Sequence, residues 1–300
     1  MKTSKHFTRR EFVHTSMATI GASSLIMGFT RPEAGATGKL TIQQIIQLIL
    51  KEIPGAPFDK TVDTVKIGNP DVPVTGIVTT MFATVDVIRK AIEIKANFII
   101  AHEPTFYNHL DETAWLGNDP IYQYKRELLL KNNMVVWRFH DYWHSHRPDG
   151  IMQGVLEQLG WEKFSRPEAP FMIAMKPTLL GEIIDHVKSK LGIPTIRFMG
   201  NPSQACKLVA LIPGAAGGKA QIQTLMSEKP DVLICGELAE WETSEYIRDA
   251  MAMGVERSLI VLGHAVSEEP GMLWLAQWLQ PKVSGIPVTH VPSNNPFSWA

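Results

Sequence analysis

The sequence predicts an α/β protein of two related lobes with parallel or mixed sheets, and three observations carry that expectation. Short apolar runs of strand length alternate with stretches whose apolar residues recur at helical spacing. The order strand, helix, strand, helix, strand occurs twice, as in an internal duplication. In both copies polar residues stand where an apolar run stops: His102-Glu103 and His140 in the first, Gly236-Glu237 and His264 in the second.

In the first lobe, about residues 40 to 165, Leu40 to Ile53 carries apolar residues at Ile42, Ile45, Ile46 and Ile49 behind Thr41. This is an amphipathic helix with its cap, ended by Pro54. Residues 54 to 73 are rich in Pro, Gly and Asp and form a loop with one short strand. Val74 to Thr79 (strand), Val85 to Lys95 (helix) and Asn97 to Ala101 (strand) make a βαβ unit, whose crossover requires parallel neighbours. A polar loop over 105 to 119, a helix from Ile121 to Lys131 and a strand from Met134 to Phe139 follow.

The second lobe, about 166 to 300, repeats this order. Lys207 to Ile212, Asp231 to Cys235 and Ser258 to Leu262 are its strands, and Ala220 to Ser227 and Thr243 to Met253 its helices. Residues 150 to 206 add helices at Gly150 to Leu159 and Leu179 to Leu191 around a strand-like Phe171 to Met175. The chain closes with a helix from Gly271 to Leu279 and a tail rich in Pro and Asn. The Gly-rich Pro213 to Lys219 lacks the Gly-Lys-Ser/Thr ending of a phosphate loop, so a tight strand-to-helix turn is expected there. Trp241, Trp274 and Trp278 are expected in the core or an interface, and His109 and His146 in flexible loops.

The chain has 300 residues, 45% hydrophobic and 20% charged, enough for a sizeable core, and its net charge of -1 gives no basic field for a nucleic acid. Residues 1 to 36 are set apart as an export signal. Lys2, Lys5, Arg9 and Arg10 form a basic start, Thr8 to Val13 resembles the twin-arginine signature, Thr15 to Gly28 is too short to span a bilayer, and Ala34-Gly35-Ala36 offers a cleavage site. Its removal takes away five basic and two acidic residues, leaving a formal charge of -4 and a periplasmic address. Cys206 and Cys235 are too few for a disulfide framework or a thiolate zinc site. They read as buried thiols, with a disulfide the alternative in an oxidising compartment.

Five of the histidines beyond the signal, His102, His109, His140, His144 and His146, fall within 45 residues. Imidazole and carboxylate suit zinc, iron or manganese, and ligands spaced i and i+4 share a helix face. Two such pairs, His140 with His144 and His264 with Glu268, occur at matched strand ends. With His102 and Glu103 they suffice for two divalent ions if a carboxylate bridges them.

At these residues the chain resembles the Nif-three-like dinuclear-metal family, whose members are also called type-two GTP cyclohydrolase-like proteins. The resemblance covers most of residues 40 to 297. The family's His-His-Pro motif corresponds to His102-Glu103-Pro104, its His-Thr-x-x-Asp to His140-Asp141-Tyr142-Trp143-His144, and its Gly-His-x-x-x-Glu to Gly263-His264-Ala265-Val266-Ser267-Glu268. Glu103 stands where the family has histidine and His144 where it has aspartate, an exchange that keeps ligand number and formal charge. The resemblance implies two lobes with the metals between them, a ring-shaped hexamer, and His102, Glu103, His144, His264 and Glu268 as ligands. Asp141 is the alternative to His144. It also implies His140 as a supporting residue behind the ligands, with Asp141 beside it; Glu237 either faces the cavity or caps a helix. The expected activity is hydrolysis of a small molecule by water activated between the metals, with Glu103 or His144 positioning it or acting as base if not bound to metal. A non-catalytic metal carrier or scaffold is the rival. An exported protein would meet little nucleoside triphosphate, which speaks against GTP as its physiological substrate.

Overall fold

A computed structural model describes residues 40–298, so the export segment read over residues 1 to 36 lies outside the described residues. The chain enters with α1 (Ile42–Leu50), closed at its start by a capping box: the Thr41 hydroxyl accepts the Gln44 amide and the Gln44 side chain accepts the Thr41 amide. Then come β1 (Val65–Ile67), β2 (Ile77–Thr80), α2 (Val85–Glu93), β3 (Phe98–Ala101), α3 (Pro120–Lys131) and β4 (Val135–Arg138). A short α4 (Asp141–Ser145) leads into α5 (Gly150–Leu159), β5 (Ser165–Arg166) and β6 (Ala169–Leu179). The second half continues with α6 (Leu180–Leu191), β7 (Arg197–Met199), β8 (Ala205–Ile212), α7 (Gly218–Ser227), β9 (Val232–Cys235), α8 (Glu245–Ala252), β10 (Ser258–Val261), α9 (His264–Leu279) and β11 (Val288–His290).

These strands make two mixed sheets, ordered β1-β4-β3-β2-β11 and β5-β6-β8-β9-β10-β7. Strands β2, β3 and β4 run parallel with β1 antiparallel against β4, while β8, β9 and β10 run parallel with β7 antiparallel against β10. The duplicated unit is therefore larger than the sequence order alone indicates: α1-β1-β2-α2-β3-α3-β4 matches α6-β7-β8-α7-β9-α8-β10. One strand breaks the lobe boundary expected at residue 166. β11, near the C-terminus, pairs parallel with β2 and completes the first sheet, with the Ile77 amide donating to the Pro287 carbonyl at 2.9 Å. Among the described residues no helix is long and apolar enough to cross a membrane.

Strands β2, β3, β4, β9 and β10 are buried on both faces, which is why their sequences are short runs with few charges. Phe98 and Ile100 of β3, with Val232 and Ile234 of β9, face a central core formed with α1, α5, α6 and α9. The alternate residues Ile99 and Ala101 face the side of α2 and α3, and Leu233 and Cys235 the side of α7 and α8. Each fully buried aliphatic side chain contributes roughly 1.5–3 kcal/mol. Cys206 and Cys235 are both free and buried, and burial pushes their thiols up to about 11 and about 12.

Helix α9 begins at His264, well before the start expected at Gly271. The run Glu268-Glu269-Pro270 reads as a break because proline lacks the N–H that would bond back one turn. The helix continues through Pro270 because α5 packs directly on that turn. A side chain at Gly154 of α5 would strike the Pro270 carbonyl and Gly271 backbone, and one at Gly271 would lie 2.5 Å from the Ile151 Cα. Trp143, beneath Gly150, donates its indole N–H to the Gly271 carbonyl at 3.2 Å and fixes the same crossing from the side.

Replacing Gly154 by alanine gains about 1 kcal/mol of helix propensity. The collision with α9 costs more, so Gly154→Ala is expected to destabilise the protein by about 1–3 kcal/mol in urea unfolding. Gly181→Ala, whose new Cβ would stand 3.5 Å from its nearest neighbour, is expected to leave stability unchanged or raise it.

Candidate metal centre

Three strand ends converge. After β3 the ladder runs two residues further, with the His102 amide donating to the Thr80 carbonyl at 3.1 Å and the Glu103 amide to Met81 at 2.9 Å, until Pro104 offers no donor. Beyond β4 the Asp63 carboxylate accepts the amides of His140 and Tyr142, both at 2.8 Å, and holds the start of α4. Beyond β10, Gly263 turns at φ +94° and launches α9, so that His264 and Glu268 project one turn apart. The Gly-rich turn before α7 makes room for the last of these. A Cβ at Gly214, which itself adopts φ +71°, would collide with the Glu268 carboxylate.

Each carboxylate stands between histidines of the two lobes. Glu103 Oε1 lies 3.7 Å from His140 Nε2 and 3.4 Å from His264 Nε2. Glu268 Oε2 lies 3.8 Å from His102 Nε2 and 3.1 Å from His264 Nε2. The His102 ring centre is 4.7 Å from that of His140 and 5.1 Å from that of His144. Two groups hold their ligand atoms within 4.8 Å of one another, His102 with His140 and His144, and His102 with Glu103 and Glu268.

The second nitrogen of every ring is engaged from behind. His102 Nδ1 lies 3.1 Å from the Phe139 carbonyl, His140 Nδ1 2.9 Å from Asp141, His144 Nδ1 2.9 Å from Asp149 and His264 Nδ1 3.6 Å from Glu237. Such partners fix ring orientation and direct the other nitrogen to a metal. His102 tests the fit. Its ring is wholly buried, the Phe139 carbonyl takes its Nδ1 proton, and its Nε2 has no hydrogen-bond partner among the described residues. A lone pair so placed, beside two carboxylates and three imidazoles, matches the needs of a divalent cation.

The electrostatics agree. Burial draws the His102 pKa well below its usual value of 6.5, helped by His144 and His140. Burial would lower His264 too, but Glu103 and Glu268 outweigh it and lift the ring to about 10. Burial likewise opposes the rise at His144, which Asp149 secures, and the fall at Glu103, which His264, His140 and Arg138 secure.

The five residues expected as ligands, His102, Glu103, His144, His264 and Glu268, come together. His140, expected behind them, instead presents Nε2 to the cluster. Asp141 stands behind it, its second oxygen accepting from Thr61 at 2.8 Å and from the Val62 amide at 3.1 Å, so it is turned away from the cluster that His144 joins. Among the described residues Glu237 caps no helix; its half-exposed carboxylate faces the outer nitrogen of His264. Sequence reasoning missed three supports. Asp149 is readable as the cap of α5, whose Met152 amide it accepts at 3.0 Å, but its grip on His144 is tertiary. Arg138 is an arginine inside an apolar strand, a charge that needs a buried partner, and it finds Glu103 at 3.3 Å. Asp63 carried no such signal. One loop assignment also changes: His146 is buried against Trp143, Trp274 and Trp278. Trp241 is 80% exposed and so lies outside the core.

Replacing Asp149 by asparagine removes the anchor of His144 and is expected to weaken metal binding about 10–100-fold, read by competition with a chelating dye. The metal-free protein has its own pH signature. A pKa raised in the fold, as at His264, adds stability that is full below pH 6.5 and is lost as pH rises through about 10. A depressed one, as at His102, removes stability as pH falls below 6.5. Chelator-treated protein should therefore resist urea best near neutrality and less at about pH 5 and about pH 9.5; stability that climbs steadily up to about pH 9.5 contradicts this.

Comparison with known proteins places these features. Residues 40–296 match the family described as Duf34/NIF3 (NGG1p interacting factor 3). A GTP cyclohydrolase 1 type 2 homolog of Clostridium perfringens is 24% identical over 222 residues, covering 70% of this chain and 80% of its own. Another, from Clostridium acetobutylicum, is 25% identical over 226 residues, covering 71% and 80%. The Staphylococcus aureus hypothetical protein SA1388 shares the fold with a TM-score of 0.69 at 19% identity, over 88% of this chain and 100% of its own. A Bacillus cereus protein related to NIF3 does so with a TM-score of 0.69 at 17% identity, over the same shares. With its sequence matched almost from end to end of the described residues, the chain belongs to the Duf34/NIF3 family.

Proposed function

We propose that the cluster is a dinuclear centre for two divalent ions, zinc, iron or manganese, and that the protein is a metal-dependent hydrolase of a small molecule. The observation that carries this reading is the bridging position of both carboxylates, Glu103 between His140 and His264, and Glu268 between His102 and His264. His102, His140 and His144 would serve one ion and His264 the other, with Glu103 and Glu268 shared. The cyclohydrolase name of the Clostridium relatives supports the reaction class. Bound ions would polarise a phosphoryl or carbonyl oxygen and lower the pKa of a water.

The chain's own residues supply the rest. Glu103 lines a cleft of about 590 Å³, so one cluster carboxylate is reachable by a substrate. His264, His140 and Arg138 keep it ionised, so that where it is not bound to an ion it would take a proton. His144 lines a separate cleft of about 600 Å³ with Asp149 orienting its ring, and where it is not bound to an ion it would serve as a base. The twin-arginine export route and a ring-shaped hexamer belong to the same reading.

The deciding experiment is elemental analysis of metal-replete protein together with a screen of phosphoesters, esters and amides. About two ions per chain and measurable turnover are expected. Glu268→Ala should lose metal and turnover while remaining folded, and Glu103→Gln should lower turnover about 10²–10⁴-fold. Bound metal without any turnover, released reversibly to a chelator, would make the protein a carrier. No bound metal would overturn both readings.

A further inference from the structure

The cleft beside Glu103 contains two buried polar side chains that the chemistry above leaves unused. Lys125 of α3 is 5% exposed and Thr105 is 0% exposed, and both line the cleft. The Lys125 ammonium donates to the Thr105 carbonyl at 2.6 Å and lies 5.2 Å from the centre of the Tyr107 ring. An ammonium has three N–H donors, and that carbonyl accepts only one of them. The Thr105 hydroxyl has no hydrogen-bond partner among the described residues.

Buried cations are ordinarily matched by a buried anion. The acid whose field reaches Lys125 is Asp111, but its carboxylate is engaged by Lys66 at 3.4 Å, Arg138 at 3.9 Å and the Phe106 amide at 2.7 Å. Glu103, the acid that lines the cleft, is held by Arg138 at 3.3 Å and directed into the cluster. The start of α2, at Thr84 and Val85, forms another part of the wall and turns the positive end of that helix to the same space. Phe82, Pro104 and Tyr107 supply an apolar surface beside these donors.

We propose that this cleft is a subsite for an anionic group of the substrate, phosphoryl or carboxylate, gripped by the Lys125 ammonium and the Thr105 hydroxyl while Phe82, Pro104 and Tyr107 hold an apolar body next to Glu103. Its purpose rests on the hydrolase reading; its binding of an anion does not. Burial brings the Lys125 pKa down to about 8, which leaves the ammonium the main form at neutral pH.

The test is calorimetric titration of the full chain, metal-loaded and chelator-treated, with phenyl phosphate, benzoate and uncharged benzyl alcohol. One of the two anions should bind about tenfold or more tightly than the alcohol, and which one does so assigns the group. Lys125→Met should weaken that binding about tenfold or more, and the near-isosteric Thr105→Val should weaken it several-fold, both with unchanged metal content. Anion affinity in Lys125→Met equal to that of the parent, or alcohol bound as tightly as the anions, overturns the proposal. Should Lys125→Met fail to fold, Thr105→Val decides, and unchanged affinity there also overturns it. A parent protein that holds no metal sinks the hydrolase reading alone, since the chelator-treated titration still reads the subsite.

Discussion

The contact on which the rest of the molecule depends is the crossing of α5 and α9, where Gly154 meets the backbone at Pro270 and Gly271 with no side chain between. These helices lie beyond corresponding strands of the two lobes, α5 after β4 by way of α4 and α9 directly after β10. Their close approach brings the ends of β3 and β4 within ligand distance of the start of α9. Larger residues at either glycine would hold the helices apart, and Glu268 could not lie 3.8 Å from His102. The same helix carries a bond from the Thr79 hydroxyl to the Met272 carbonyl at 2.8 Å, tying α9 to β2. Geometry at the cluster is thus inherited from packing well behind it.

Within the cluster, direction matters as much as proximity. Four imidazoles are each oriented by a group on the far side of the ring, three of them by carboxylates from Asp141, Asp149 and Glu237. The exchange of Glu103 for a family histidine and of His144 for a family aspartate is intelligible in these terms. Glu103 can be an anion in a buried setting because Arg138, wholly buried itself, stands 3.3 Å behind it. His144 gains a basic, fixed ring because Asp149 is in reach. Each of these two residues has a local partner suited to its own chemistry.

A second consequence of the fold is that polar groups are distributed unevenly around the cluster. On the side of α3 the chain places a lysine with spare donors and an unpaired hydroxyl beside Glu103. On the side of α5 it places His144 and Asp149 next to another opening. A small molecule entering from the first side would therefore meet positive charge, and one from the second an imidazole held by its carboxylate.

Much of this was legible in the linear chain. Continuous apolar runs identify strands covered on both faces, the doubled order of elements identifies the duplicated lobes, and His102-Glu103, His140, His144, His264 and Glu268 are visible as ligand types at strand ends and at one-turn spacing. Those properties are local, set by side-chain period and by backbone donors that a proline removes. The rest was decided only when the chain folded. Whether His140 faces the cluster or supports it depends on which ring nitrogen finds Asp141, and the support of Asp63, Arg138 and Asp149 depends on residues far apart in sequence meeting in space. The return of β11 to the first sheet and the passage of α9 through Pro270 are tertiary in the same sense, because packing against α5 and β2 outweighs a local signal worth only a few kcal/mol.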